Sequence, residues 1–319
     1  MVGVDGQSDA GKPFKTRPER ISASVVDYAA AAQSAATHRS YATDIREFQM
    51  WGGTIPTTPD ILAQYLADHA EKLAVATLQH RLIAIHRAHI DKDLLSPVTD
   101  KLVKRTMQGI RRTFGVAQRR VKAIVKDDLL EQLVLNAAQK PLKAARDHAL
   151  LLVGFAGALR RSELVAIRCD DLTELNTGVE ILLRRSKTDQ EGQGRTVWIP
   201  CAKVASRCPV QALKLWQSLS GILSGPLFRP INRHDQLVGT KALTPQSVAL
   251  VVKSSVRRVR GKEAAKSVSG HSLRSGYCTE AAFAGLQPWQ IREQTGHTSD
   301  ATLARYIRPV TKRKIPSLL

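Results

Sequence analysis

Beyond residue 156 the sequence holds five short pieces that collect arginine, lysine, histidine and tyrosine at spacings suited to work on a phosphodiester. They are Gly157-Ala158-Leu159-Arg160-Arg161-Ser162-Glu163-Leu164, Ser186-Lys187-Thr188, His271-Ser272-Leu273-Arg274, Gly296-His297 and Arg305-Tyr306-Ile307-Arg308-Pro309. A pentavalent phosphorane carries developing negative charge on its non-bridging oxygens, and guanidinium forks at Arg160 and Arg274 would match them in charge and geometry. Such a clamp could replace Mg²⁺. A tyrosine hydroxyl, with a reference pKa of about 10, is a poor nucleophile at neutral pH unless a base or a cationic field helps it. His271 could supply the base, since its spacing of three from Arg274 puts both on one helix face. The departing 5′ oxygen needs a proton, which Lys187 at a hairpin tip could deliver.

Each piece has a plainer reading when taken alone. Arg160 would be an exposed helix-end arginine, Lys187 a solvated hairpin lysine, and His271 and Arg274 part of an ordinary polar face. Tyr306 would be a core aromatic with its hydroxyl satisfied, although its basic neighbours make a core position less comfortable. The set as a whole is what supplies a clamp, a base, an acid and a nucleophile.

Elements must hold these groups in place. In the second half of the chain the pattern predicts helices over 128–139, 143–157 and 162–167, with Ser162 as a cap. A strand pair follows, over 179–185 and 195–200, joined by the polar turn 186–194. Further helices span 244–260 and 271–284. The first half predicts helices over 37–51 and 58–71, the latter with Thr58 as N-cap and Pro59 at the first helical position. Leu78, Leu82 and Ile85 mark another helix. On the next one Val103, Met107 and Ile110 form an apolar face, while Lys101, Lys104, Arg105, Gln108, Arg111 and Arg112 form a cationic one. From Lys101 to Lys126 there are nine basic residues and no acidic one, which favours phosphate contact over a solvated face of mixed sign.

The whole chain agrees with a polyanionic partner. Its 48 Lys and Arg against 28 Asp and Glu give a net charge of +20 over 319 residues. The longest apolar run, Ala149 to Leu159, stops at Arg160 and is too short to span a bilayer. No secretory signal is legible, so a cytoplasmic protein is expected. Cys169, Cys201, Cys208 and Cys278 show no CxxC pairing and read as free buried thiols. Asp170-Asp171 is the one conspicuous carboxylate pair in this half, and a helix-to-strand connection explains it better than a metal site.

The five pieces, in this order and spacing, resemble the signature of the tyrosine recombinase (phage integrase) family. An arginine box (Leu159 to Leu164) is followed by a hairpin lysine (Lys187), H-x-L-R (His271 to Arg274), G-H (His297) and the C-terminal Tyr306. Thr37-x-Arg39-x-Tyr41-x-x-Asp44-x-x-x-Phe48-x-x-Trp51 similarly looks like the first helix of the family's core-binding domain. The resemblance implies a mainly α fold with a small β-sheet (α+β), in which a helical, SAM-like core-binding domain and a catalytic domain form a C-shaped clamp. The implied limits are a flexible arm over 1–22, a core-binding domain over 23–115, a linker over 116–126 and a catalytic domain over 127–319.

It further implies that Arg160, His271, Arg274 and His297 contact the scissile phosphate, that Glu163 supports the arginine box, and that Lys187 protonates the leaving 5′-hydroxyl. Tyr306 would form a 3′-phosphotyrosyl intermediate, with no cofactor, metal or ATP. Arg160 is preferred to Arg161 because it lies three residues before Glu163. The implied partner is double-stranded DNA bearing an inverted-repeat site, exchanged by a homo-tetramer through a Holliday junction. Thirteen residues follow Tyr306, so the family's trans-docking C-terminal helix is expected to be short or absent. Candidate DNA contacts besides the cationic helix are Arg81, Arg87, Arg257, Arg258 and Arg260. Competing readings are a type IB topoisomerase, which shares the clamp and tyrosine, and a non-catalytic DNA-binding regulator on the same scaffold. An RNA-binding protein is disfavoured, since aromatics are only 5% of residues and no GXXG clamp is present.

Overall fold

A computed structural model describes residues 23–116, 121–136, 138–185 and 193–313. The expected arm over 1–22 and Lys187 fall outside them. The chain divides into two compact units, Met1–Gln118 and Arg119–Leu319.

The first unit is helical. Its elements are α1 (Ala23–Ala31), α2 (Ala35–Trp51), α3 (Pro59–His69), α4 (Val75–Ile90) and α5 (Lys101–Phe114). The capping chemistry explains the limits: Ser34 accepts from the Thr37 N–H, Thr58 from Ile61 and Asp100 from Leu102, and Gly52 closes α2 in the left-handed conformation. Phe48, Leu62, Tyr65, Leu66, Leu78, Leu82, Ile85, Val103, Met107 and Ile110 form one buried cluster. The apolar face of α5 therefore packs inward as expected, and its basic residues are exposed.

The second unit is helical around one small sheet. It contains α6 (Lys126–Asn136), α7 (Pro141–Ala156), α8 (Arg161–Ala166), β1 (Leu172–Leu175), β2 (Gly178–Leu183), β3 (Arg195–Pro200), α9 (Pro209–Ser220), α10 (Pro245–Lys266), α11 (Ser272–Phe283), α12 (Pro288–Thr295) and α13 (Asp300–Arg313). The strands are antiparallel in the order β1-β2-β3. Val179, Ile181 and Leu183 alternate inward on β2 and meet Val197 and Ile199 of β3 in the core, beside the apolar α7 and Trp216 of α9. Gly261, at φ 80°, interrupts α10 two residues beyond its last valine, Val259.

Three details differ from expectation. The sheet has a third strand, β1, whose residues are half-buried or exposed and so lack a strong alternation signal. Ser162 does not cap α8; Arg160 is the N-cap residue, and Glu163 reaches back to accept its backbone N–H at 2.8 Å. The expected linker ends early, because Lys122 and Ile124 donate backbone hydrogen bonds to Ser267 and Ser272, and Ile124 is buried. Asp171 does lie in the α8–β1 connection, accepting from the Arg168 N–H and from Arg184 Nε. Cys208 and Cys278 are buried thiols, whereas Cys201 is exposed and Cys169 half-buried.

Candidate active site

The arginine box sits where α7 gives way to α8. Gly157 caps α7 and Ala158 adopts a left-handed φ of 49°, so the chain turns sharply and delivers Arg160 at the start of α8. Arg160 donates from Nη1 to Glu163 Oε1 at 2.5 Å and from Nη2 to the Gly296 carbonyl at 3.2 Å. Glu163 is fully buried, so its charge is held for this purpose and not for solvent. Arg161 points elsewhere, exposed and lying over Gly270.

His271 and Arg274 come from the start of α11. Arg274 is 1% exposed and donates from Nη1 to the Ala158 carbonyl at 2.8 Å, while its Nε and Nη2 have no hydrogen-bond partner among the described residues. An arginine so deeply buried with donors unspent is costly unless an anion completes it. Burial, then the nearby Arg160, pushes its pKa down to about 10.

Tyr306, on α13, packs its ring beside Cys278, Ala281, Ile291 and Leu303 and brings its hydroxyl 2.6 Å from His271 Nε2. The ring of His297 lies against the same tyrosine, centroids 5.6 Å apart. Gly296 ends α12 in the left-handed conformation, which turns His297 back into the unit. His297 Nδ1 meets Thr295 Oγ1 at 2.7 Å. The same hydroxyl lies 2.6 Å from the Ile291 carbonyl, so Thr295 ties the imidazole to the last turn of α12.

Burial, followed by Arg274 and Arg160, lowers His271 to about 4 and His297 to about 3. Burial raises Tyr306, with Arg274, Arg305 and Arg160 opposing. At neutral pH a phenol therefore faces a neutral His271, and in the tautomer that leaves Nε2 unprotonated the imidazole can take the phenolic proton. Among the described residues no group of three or more His, Cys, Asp or Glu could hold a metal ion.

Residues 124–313 match the family model of the phage integrase family. The chain belongs to that family. It is 39% identical to an integrase/recombinase XerD homolog of Selenomonas ruminantium, over 85% of this chain and 81% of the relative. Recombinase Cre of Escherichia phage P1 is 25% identical, over 79% of this chain and 76% of Cre. Two solved structures share the fold. The XerH site-specific recombinase in a post-cleavage complex with palindromic difH substrate has a TM-score of 0.63 at 18% identity, covering 86% of this chain and 77% of XerH. The Tn1549 transposon integrase with circular intermediate DNA has a TM-score of 0.61 at 16% identity, covering 92% of this chain and 98% of the integrase.

In this integrase-family chain the structure thus gathers Arg160, Glu163, His271, Arg274, His297 and Tyr306. Lys187 follows the last paired residues of β2 and lies outside the described residues. The candidate DNA contacts fall into two groups. Lys101, Lys104, Arg105, Arg111, Arg112, Arg87, Arg257 and Arg258 are exposed, although Arg258 bonds Gln139 and Ser254, and Arg87 approaches Asp91. Arg260 is tied to Asp128 and Glu131.

Arg81 is a correction. It is buried, donates to the Tyr65 hydroxyl, and lies 3.8 Å from Asp44 and 3.4 Å from Glu47, so it joins α2, α3 and α4 and is not a free cation for DNA.

Sequence reasoning passed over two residues in the site. Thr295 holds His297, and its signal was only its place two residues before a histidine already singled out. Arg195 opens β3 beside Glu163 and Gln294, at positions far apart in sequence.

Proposed function

We propose that this protein is a site-specific DNA recombinase that breaks and rejoins strands through a covalent tyrosyl–DNA intermediate. The observation that carries the reading is the 2.6 Å contact between Tyr306 and a neutral His271, next to a buried Arg274 with unspent donors. A scissile phosphate binds to Arg274 and Arg160, whose guanidinium groups take up the charge of the phosphorane. His271 accepts the phenolic proton as the Tyr306 oxygen attacks phosphorus. The P–O bond to the 5′ oxygen breaks, leaving a 3′-phosphotyrosine, and Lys187 gives the leaving oxygen its proton. A 5′-hydroxyl of the partner duplex then attacks the same phosphorus and displaces Tyr306. One phosphodiester is exchanged for another, so the step consumes no ATP.

The substrate is double-stranded DNA with an inverted-repeat site, and a homo-tetramer exchanges strands between two duplexes through a Holliday junction. Its place of action is the nucleoid in the cytoplasm. Among the described residues no helix is long and apolar enough to cross a membrane.

The test is a supercoiled plasmid carrying two copies of a duplex selected from random-sequence DNA for binding this protein and cleavage by it. Deletion or inversion between the copies, with a four-way junction as intermediate, is expected. Relaxation without exchange would place the protein with the type IB topoisomerases, and binding without cleavage would make it a regulator.

A further inference from the structure

Glu163 lies between two arginines. Arg160 bonds its Oε1, and Nη2 of Arg195 sits 3.7 Å from its Oε2. Both arginines also hold the end of α12. Arg160 donates to the Gly296 carbonyl, and Arg195 donates from Nη1 to the Gln294 carbonyl at 3.1 Å. The Arg195 side chain passes close to Gly296, where a Cβ would come 2.8 Å from Arg195 Nε. Gln294 adds a third tie, donating to the carbonyls of Ala156 and Trp198. Glu163, Arg160, Gly296 and Arg195 thus form a closed ring that joins α8, β3 and the turn from which His297 springs.

Arg195 is expensive to keep there. Its Nε and Nη2 make no hydrogen bond among the described residues, and a guanidinium with five donors is poorly served by one carbonyl and one carboxylate beyond hydrogen-bond distance. Balancing the charge of Glu163 does not require it, because Arg160 already does so at 2.5 Å. What Arg195 adds is a hydrogen bond to the Gln294 carbonyl and a close approach to Gly296, on either side of the end of α12.

We propose that Arg195 is a positioning residue for strand cleavage, which acts by fixing Gly296 and so aiming His297 at the scissile phosphate. The proposal rests on the recombinase reading. It assigns Arg195 to the α12 terminus, where its Nη1 is bonded and its side chain closes over Gly296, and the DNA affinity of its variants separates that role from a phosphate contact.

The experiment is single-turnover formation of the covalent adduct on a nicked form of the selected duplex, with DNA affinity measured in parallel. Arg195→Ala is expected to slow adduct formation by about 10- to 100-fold while the Kd changes less than about twofold. Arg195→Lys, which keeps the charge but loses the fork, should be slowed at least about tenfold, and it serves as the folded variant if the alanine substitution melts. On a His297→Ala background, Arg195→Lys should cost less than about threefold, because both changes remove the same interaction. A lysine variant at the wild-type rate, or losses that multiply on the His297→Ala background, would overturn the assignment of Arg195 alone. A wild-type protein that binds the duplex and forms no adduct would overturn the recombinase reading, and this one with it.

Discussion

His271 and His297 are set by their surroundings to be neutral. Burial and the two clamp arginines hold them near 4 and near 3, whereas the unfolded chain returns them to about 6.5. Between those values the unfolded state binds more protons, so their contribution to stability is complete above about pH 6.5 and is lost as pH falls toward the folded values. Each histidine adds at most about 1.4 kcal/mol per pH unit to that slope. Denaturant midpoints at pH 7 and pH 5 should therefore drop further for the wild type than for His271→Asn. Equal drops would contradict the neutral assignment. Most of this site was legible because Arg160, Glu163, His271, Arg274, His297 and Tyr306 stand in short local motifs. Arg195 was not, because an arginine that opens a strand after a polar turn reads as a solvated end. Its partners, Glu163 and Gln294, are 32 and 99 residues away. Arg81 was misread for the same reason, with its carboxylates on α2, more than thirty residues earlier.

Among the elements, α11 carries Arg274, is preceded by His271 as its N-cap residue, and packs so closely that Gly276 has no room for a side chain. A Cβ there would lie 1.8 Å from the Ile124 carbonyl oxygen. Gly276→Ala must push α11 away from the segment before α6, and should destabilise the second unit by about 1–3 kcal/mol or more and slow cleavage as well. A variant with wild-type stability would show that this contact gives way freely. The basic face of α5 makes a separate prediction. Its helix contains no acidic residue, so each phosphate it neutralises should add about 0.9 to the slope of log Kobs against log salt. Replacing Lys104 and Arg105 with alanine should lower that slope by nearly 2 and weaken binding to all sequences alike, as read by anisotropy titrations at several salt concentrations. An unchanged slope would remove α5 from the interface. Helices with local caps and periodic apolar faces, α3 and α5 above all, could be read from the sequence. By contrast β1 offers only half-buried and exposed residues and takes its identity from pairing with β2, which is a tertiary fact.

At the scale of the whole molecule, two units with separate hydrophobic cores carry a net charge of +20, and the residues of the candidate active site all lie in the second. Charge supplies affinity without sequence preference, whereas the reaction is proposed to come from Tyr306 and its neighbours. The account stands or falls on a covalent bond between that tyrosine and DNA, made by arginines and histidines. The most direct measurement incubates wild type and Tyr306→Phe with the nicked selected duplex in EDTA and resolves protein–DNA adducts on a denaturing gel. The account predicts an adduct for the wild type and none for Tyr306→Phe, which should still bind the duplex with nearly unchanged affinity. An adduct that persists in Tyr306→Phe, or a wild type that binds tightly and forms none, would contradict it.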